Sequence, residues 1–427
     1  MTRRIRRSLL REYKRDQGGA LIIVVLIVVA MTLLGSIGYD LTIHRRKQVV
    51  AVKKKSQALQ LAEAAIDDVR VRMLPTYDLE STIMGLSVGT SASTTGGLTG
   101  DECMVTIEKM GAETFKMAST YPSTGIPVRK VNVVVEADYG SVFHYAACGC
   151  SSLEVSGTTD SYSSDNGTYA SQTPGDDGDV GSNGWVKLKG LVDGNLEAGT
   201  DIHADSNSDG IVTGYGTLGG VKADGANCGP KSCVQGTLLT NVTPTPMPCD
   251  CSSFDVAGLV TAGATTNNNG SLPAPYTSAT SLNMSGNEEL VISSGGTYYF
   301  TSVVLAGNSK ITIATTDTVV FALAGPGLYD FAGNGIVNGS DNAKNLQIYS
   351  TYTGDIIFRG GSEFSALVYA PYANIRLEGN FDVYGAFLGN VFVGVGTTDV
   401  HYDEIAEDLD MVIDNYKIKS WMDDRNI

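Results

Sequence analysis

The chain has 427 residues, 42% of them hydrophobic, with 50 glycines and a net charge of −16; this is not a disordered composition, and it is ample for a sizeable core. The charge is unevenly placed: residues 1–55 hold 13 Lys/Arg against Glu12, Asp16 and Asp40 only, and the remainder is strongly acidic. An acidic body has no positive surplus with which to release phosphate counterions, which counts against nucleic acid as a partner, whereas the basic start suits an anionic lipid surface.

Between Asp16 and Asp40 no side chain is charged, and Ala20 to Gly38 is nearly all aliphatic. Such a run is close to the ~20 residues a helix needs to cross a bilayer. A globular core rarely needs so long an uncharged helix, and a secretory signal has a shorter apolar region of ~7–15 residues. The sequence therefore predicts a basic leader over 1–18, a transmembrane helix over 19–39 and an amphipathic helix over 40–75. Basic residues flank the span on both sides, so the positive-inside rule favours a cytoplasmic amino terminus only slightly; the acidic, Cys-bearing remainder makes the same choice more strongly. Leu59, Ala62, Ile66, Val69 and Met73 recur at alternating intervals of three and four, a stripe on one helical face. Pro75, lacking an N–H, stops that helix.

The run Arg15-Asp16-Gln17-Gly18-Gly19-Ala20-Leu21-Ile22-Ile23-Val24-Val25-Leu26 resembles the amino terminus of type IV pilins, specifically PilX-type minor pilins. Gln57-Ala58-Leu59-Gln60-Leu61-Ala62-Glu63-Ala64-Ala65-Ile66 resembles the stretch that follows the span in that family. The resemblance implies cleavage by prepilin peptidase after Gly18 or Gly19, residence in the bacterial inner membrane, and partners among other pilin-like subunits and the pilus assembly machinery. Major pilins carry a Glu at the fifth mature position, where it pairs with a neighbour's terminal amine. Here that position is Ile23 or Val24, which implies a minor or initiating component rather than a repeating shaft subunit.

Residues 76–150 read as a small α+β unit. Thr76 to about Gly100 is Ser/Thr/Gly-rich loop, and strands are expected at Met104–Lys109 and at Val131–Ala137, with Val131, Val133 and Val135 on one face. A Gly/Ser/Asp linker is expected over 151–184, first solenoid rungs over 185–226 and a Cys/Pro-rich insertion over 227–288. Seven cysteines in an exported chain suggest disulfides. Cys228 and Cys233 flank a tight loop that can close locally, and Cys148-Gly-Cys150 can cross-link Cys249-Asp-Cys251. A four-thiolate zinc site from the latter two pairs has one-residue spacings where two to four are usual; connectivity stays open. Asp205-Ser-Asn207-Ser-Asp209-Gly210 matches the first half of a calcium loop, but Gly216 stands where the bidentate Glu belongs, so calcium competes with a solvated turn.

Over 289–402 short apolar runs such as Val303-Val304-Leu305, Ile311-Thr312-Ile313 and Ile356-Ile357-Phe358 alternate with corners such as Gly307-Asn308 and Gly379-Asn380. Brief strands closed by residues that tolerate positive φ describe a parallel β-helix. An antiparallel sandwich would need longer strands. This part resembles the β-solenoids found behind PilX-type anchors in bacterial proteins of unassigned function, and its short rungs resemble those of bactofilins. Residues 403–427 read as a cap, with Ile405, Leu409 and Val412 at helical spacing and Tyr416–Trp421 across the last rung.

No nucleophile elbow, zincin or phosphate-loop motif is present, and His44, His144, His203 and His401 are scattered. Asp355, Arg359, Glu363, Arg376, Glu378 and Asp382 are the candidates for a carbohydrate-active β-helix enzyme, but their distribution is that of a solvated face. The expectation is thus a mainly β protein, with a long N-terminal transmembrane and amphipathic helix, a small α+β unit and a parallel β-helix. It is expected to be non-enzymatic and without an obligate cofactor, displaying its solenoid to surface glycans or proteins. A membrane-anchored, self-associating bactofilin-like scaffold is the alternative.

Overall fold

The computed structural model describes residues 2–74, 78–79, 82–83, 85–97, 103–111, 113–120, 130–204, 210–218, 234–244, 247–338, 340, 342–360 and 364–424. Side chains are described from Ile23 onward, except those of 413–415 and 423–424. The fold is mainly β, with one long helix at the amino terminus. The chain forms two compact units: residues 1–73, 77–136 and 416–427 make the first, and 74–76 with 137–415 make the second.

In the first unit one long helix, α1, runs over Thr2–Arg72. Its residues from Ile23 to Leu41 expose aliphatic side chains, Ile23 at 59% and Val24 at 55%, and it is long and apolar enough to cross a membrane. Further along, Ala58, Ala62, Ala65, Ile66 and Val69 are buried at three- and four-residue spacing. This stripe packs on an antiparallel sheet whose strands are Ser91–Gly96, Cys103–Lys109, Thr114–Thr120, Lys130–Gly140 and Val412–Asp424, in that order across the sheet. Alternation is clean: Val105, Ile107, Phe115, Met117, Val131, Val133 and Val135 are buried while their neighbours are not. The alanines matter because they let helix and sheet backbones approach. A Cβ on Gly96 would lie 2.6 Å from the Ala65 carbonyl oxygen, so this strand end accepts only glycine.

Two expectations change here. Ser91–Gly96 is a strand inside the stretch read as loop, because its Ser and Thr residues ride on an edge where little apolar burial is demanded. Val412–Asp424 is the fifth strand of this sheet, in the stretch where a cap had been expected. Tyr416 is fully buried, edge-on to Phe115 at 5.8 Å, and its carbonyl accepts from Arg70 Nη1 at 3.4 Å. Only a 3₁₀ segment, Glu404–Asp408, stands where helical spacing had been read.

The second unit is a parallel β-helix whose rungs do not stack in chain order. One group climbs from Ser281–Met284 through Ser302–Leu305, Tyr329–Phe331 and Asp355–Arg359 to the long strand Phe364–Asp403. That strand then stacks on the beginning of the domain, Phe387 on Ala147 and Phe392 on Leu153. From there a second group continues, Ala147 to Val180 to Leu196 to Gly216 to Leu238. The rung that comes first in the sequence therefore sits mid-stack, and the long strand Phe364–Asp403 closes against it. A ten-residue helix, α2 (Val256–Thr265), begins with Asp255 accepting from Gly258 N at 2.8 Å. It packs across the strands Gly296–Phe300, Val319–Leu323 and Leu346–Ser350, and so carries the chain along the stack to the start of the other group. Corners follow positive-φ glycine: Gly396, at φ 101°, abuts the Gly379 carbonyl of the rung below.

The stretch expected as a linker, 151–184, is therefore part of the solenoid, containing most of Ala147–Val155 together with Thr158–Tyr162 and Val180–Ser182. Its polar composition hides this. Thr158–Tyr162 buries Asp160 and Ser161 through hydrogen bonds rather than apolar contact. The insertion expected over 227–288 likewise holds Leu238–Leu239, α2 and Ser281–Met284.

Candidate functional site

Gly18 and Gly19 lie within α1, about eleven turns before the sheet-packing stripe that begins at Ala58, and Ile23 and Val24 follow on the same helix. Asp205, Asn207 and Asp209, the calcium candidates, and Cys228 and Cys233 lie outside the described residues, as does Pro75. Among the described residues no group of three or more His, Cys, Asp or Glu is placed to hold a metal. The structure joins Cys148 to Cys249 and Cys150 to Cys251, two parallel disulfides that pin the mid-stack rung to the turn preceding α2.

Of the charged residues weighed as catalytic candidates, Arg359, Arg376 and Glu378 pair with one another or with Asp330 across successive rungs. Arg359 donates to both oxygens of Asp330 and lies 3.8 Å from Glu378, while Arg376 Nε donates to Glu378 at 2.9 Å. Asn374 donates to Asp355 at 2.8 Å. Further along, Lys187 and Lys189 both meet Glu154. Glu363 lies outside the described residues. The arrangement is an ion-pair ladder, holding rung to rung.

A different cluster is more unusual. Asp160 and His401 are register partners on adjacent rungs, both 5% exposed, and His401 Nδ1 is 2.6 Å from Asp160 Oδ1. Their strand neighbours Thr159, Val400 and Tyr402 are also buried, and Val400 and Tyr402 join the inner core. By the two-residue period, Asp160, His401 and Asp403 therefore face outward, where solvent is the usual surrounding. They are buried because residues 163–178 fold over them, together with the Tyr384 ring, which stacks on His401, and the turn at Ala343, whose N–H reaches Asp403. Tyr169 Oη donates to Asp160 Oδ2 at 2.7 Å, and Ser164 N donates to Asp403 at 2.9 Å. Gln172 Nε2 staples the loop by donating to the Ser163 and Gly167 carbonyls, each at 2.9 Å. Burial, then the Asp160 carboxylate, raise the Tyr169 hydroxyl above its ordinary pKa. Burial also raises Asp403, against the backbone N–H groups of Ser164 and Ala343, which favour its charged form.

Beside this cluster opens a cavity of about 250 Å³ walled by the rings of Tyr162, Tyr169, Tyr384 and Phe364, with Thr168, Asn338 and Ser365 as its polar members. Tyr162 meets Tyr169 and Tyr384 edge-to-face, at 5.7 and 5.8 Å, and the Tyr169 ring lies 3.9 Å from that of His401. A second concavity of about 510 Å³ lies near Asp179, Glu197 and Tyr215. There Tyr145 Oη donates to Glu197 at 3.0 Å, and Asp179, raised by burial, accepts from Asn195. Sequence reading missed the aromatic cluster because its members span residues 160 to 402 without local spacing. The available signal was His401, an imidazole between the inward-facing Val400 and Tyr402.

A family model described as a domain of unknown function (DUF7305) matches residues 301–409, the segment holding the later rungs. No curated protein matches the chain. Among solved structures the chain is similar to the competence-associated pilin ComZ from Thermus thermophilus, with 11% identity, 79% of this chain and 86% of that chain covered, and a TM-score of 0.31. It is also similar to a glycosylated ice-binding protein (LeIBP) from an Arctic yeast, with 17% identity, coverage of 62% and 94%, and a TM-score of 0.31. A third similarity is to the DUF3494 domain of ice-binding protein 1 from Shewanella frigidimarina, with 17% identity, coverage of 63% and 98%, and a TM-score of 0.26.

Proposed function

We propose that this chain is a pilin-like structural protein of the PilX type, anchored in the bacterial inner membrane with its amino terminus cytoplasmic, and that it displays its β-helix for adhesion. The observation that carries the reading is the continuity of α1. One helix passes from an uncharged, outward-apolar span into the Ala62, Ala65, Ile66 and Val69 stripe that packs on an antiparallel sheet. That build joins membrane anchorage and head folding in a single element. Ile23 and Val24, apolar where a shaft-forming pilin carries Glu, support a minor or initiating role. The two disulfides support placement of the β-helix in an oxidising compartment, periplasmic or extracellular. A non-enzymatic role is supported by the mutual pairing of Asp330, Arg359, Arg376 and Glu378.

Cell fractionation tests the reading. Shearing the cell surface is expected to release part of the protein together with other pilin-like subunits. Recovery solely in membranes, as a self-associated assembly without pilin partners, would favour the bactofilin-like scaffold instead.

A further inference from the structure

We propose that the aromatic cavity beneath residues 163–178 binds a single neutral sugar ring, the terminal residue of a surface glycan. The wall is built rather than incidental. Asp160, His401 and Asp403 are outward-facing polar groups covered by the loop, by the Tyr384 ring stacked on His401 and by the turn at Ala343, and the bonds of Asp160 to Tyr169 Oη and of Asp403 to Ser164 N hold that loop in place. The Asp160–His401 pair is thus a positioning device for the Tyr169 ring.

The rings of Tyr162, Tyr169 and Tyr384 do not stack flat on one another. They meet at 87°, 85° and 59°, forming an aromatic corner, with Phe364 completing the lining. Such a corner offers ring faces to the C–H face of a pyranose, while the exposed Thr168 provides a hydroxyl for hydrogen bonding; the Asn338 amide is already bonded to Ser340, Asn342 and Ser365. Among the described residues no Lys or Arg lines the cavity, and the nearby Asp382 adds to the negative potential that raises Tyr169, so an anionic ring is disfavoured. At about 250 Å³ the space falls below the ~300–1,000 Å³ of pockets that enclose larger ligands, which suits one ring rather than a chain. The inference rests on the display role proposed above for its biological setting. Binding itself is read on the isolated chain, so its failure is distinct from a failure of membrane anchoring or filament entry.

The test is saturation-transfer NMR on the full chain in detergent micelles, with glucose, galactose, mannose and N-acetylglucosamine as probes and glucuronate as the anionic counterpart. At least one neutral sugar is expected to bind with millimolar affinity. Tyr384→Ala is expected to weaken it by about tenfold, the scale of one aromatic contact, whereas Tyr384→Phe keeps it. Ala170→Trp, placed on an exposed turn at the cavity, fills the space without disturbing the core and is expected to abolish transfer. No transfer from any neutral sugar, equal transfer from glucuronate, or transfer unchanged in Ala170→Trp overturns the proposal.

Discussion

Removing the two disulfides separately and together should give strongly non-additive losses of stability. Each bridge joins residues 101 positions apart, Cys148 to Cys249 and Cys150 to Cys251. Closing a loop of that length lowers the entropy of the unfolded chain by an amount equivalent to about 4.7 kcal/mol. Once one bridge is closed, however, the other closes only the small ring Cys148-Gly149-Cys150 facing Cys249-Asp250-Cys251. On the same logarithmic relation that second closure contributes about 2 kcal/mol. Replacing either pair with alanine should therefore cost about 2 kcal/mol, and replacing both about 7 kcal/mol, comparable with the whole stability of many domains. The second unit contains one of the chain's two tryptophans, Trp185, so urea unfolding in a Trp421→Phe background reads that unit alone. Additive single losses, each near half of the double loss, would refute the nested-loop reasoning.

Gly96→Ala places a methyl group against the Ala65 carbonyl and should destabilise the first unit by about 1–3 kcal/mol, seen as faster limited proteolysis of residues 77–136. Tyr416→Ala empties a fully buried ring site beside Phe115 and should cost about 3–5 kcal/mol in the same assay, whereas a mere cap residue would leave this unit unaffected. Arg359→Ala breaks a ladder that is partly solvated and should change stability by less than about 1 kcal/mol in thermal melts. Asp179 and Asp403 have folded pKa values raised by burial. Their stabilising contribution is full below the ordinary carboxylate pKa and is lost as pH rises through the raised folded value. Asp403→Asn should accordingly flatten the decline of melting temperature above about pH 4, and an unchanged pH profile would show that Asp403 titrates normally.

Where burial is apolar and periodic, the fold is legible in the sequence. The Leu59–Met73 stripe and the Val131, Val133, Val135 alternation both declare the face they bury. The rungs from Val303 to Phe358 do so as well, because Val303, Ile311, Phe321 and Phe358 point inward between glycine corners. Legibility fails where hydrogen bonds replace apolar contact. Thr158-Thr159-Asp160-Ser161-Tyr162 has the composition of a linker, yet its buried carboxylate is met by Tyr169 and by His401, and its Ser161 hydroxyl by Glu404, the last two from distant sequence. Tyr416-Lys417-Ile418-Lys419 carries a two-residue alternation, but the helical spacing of Ile405, Leu409 and Val412 just before it obscured the strand. Rung order is a third kind of information. No local pattern says that Phe387 stacks on Ala147, since both are ordinary inward residues whose pairing depends on the path of the whole chain.

The central claim is that α1 is a processed, pilin-like anchor, and the mass of the mature amino terminus tests it most directly. Protein isolated from membranes and from sheared surface material is expected to begin at Gly19 or Ala20, after cleavage following Gly18 or Gly19. A mature chain that retains Met1 in both fractions would contradict the account.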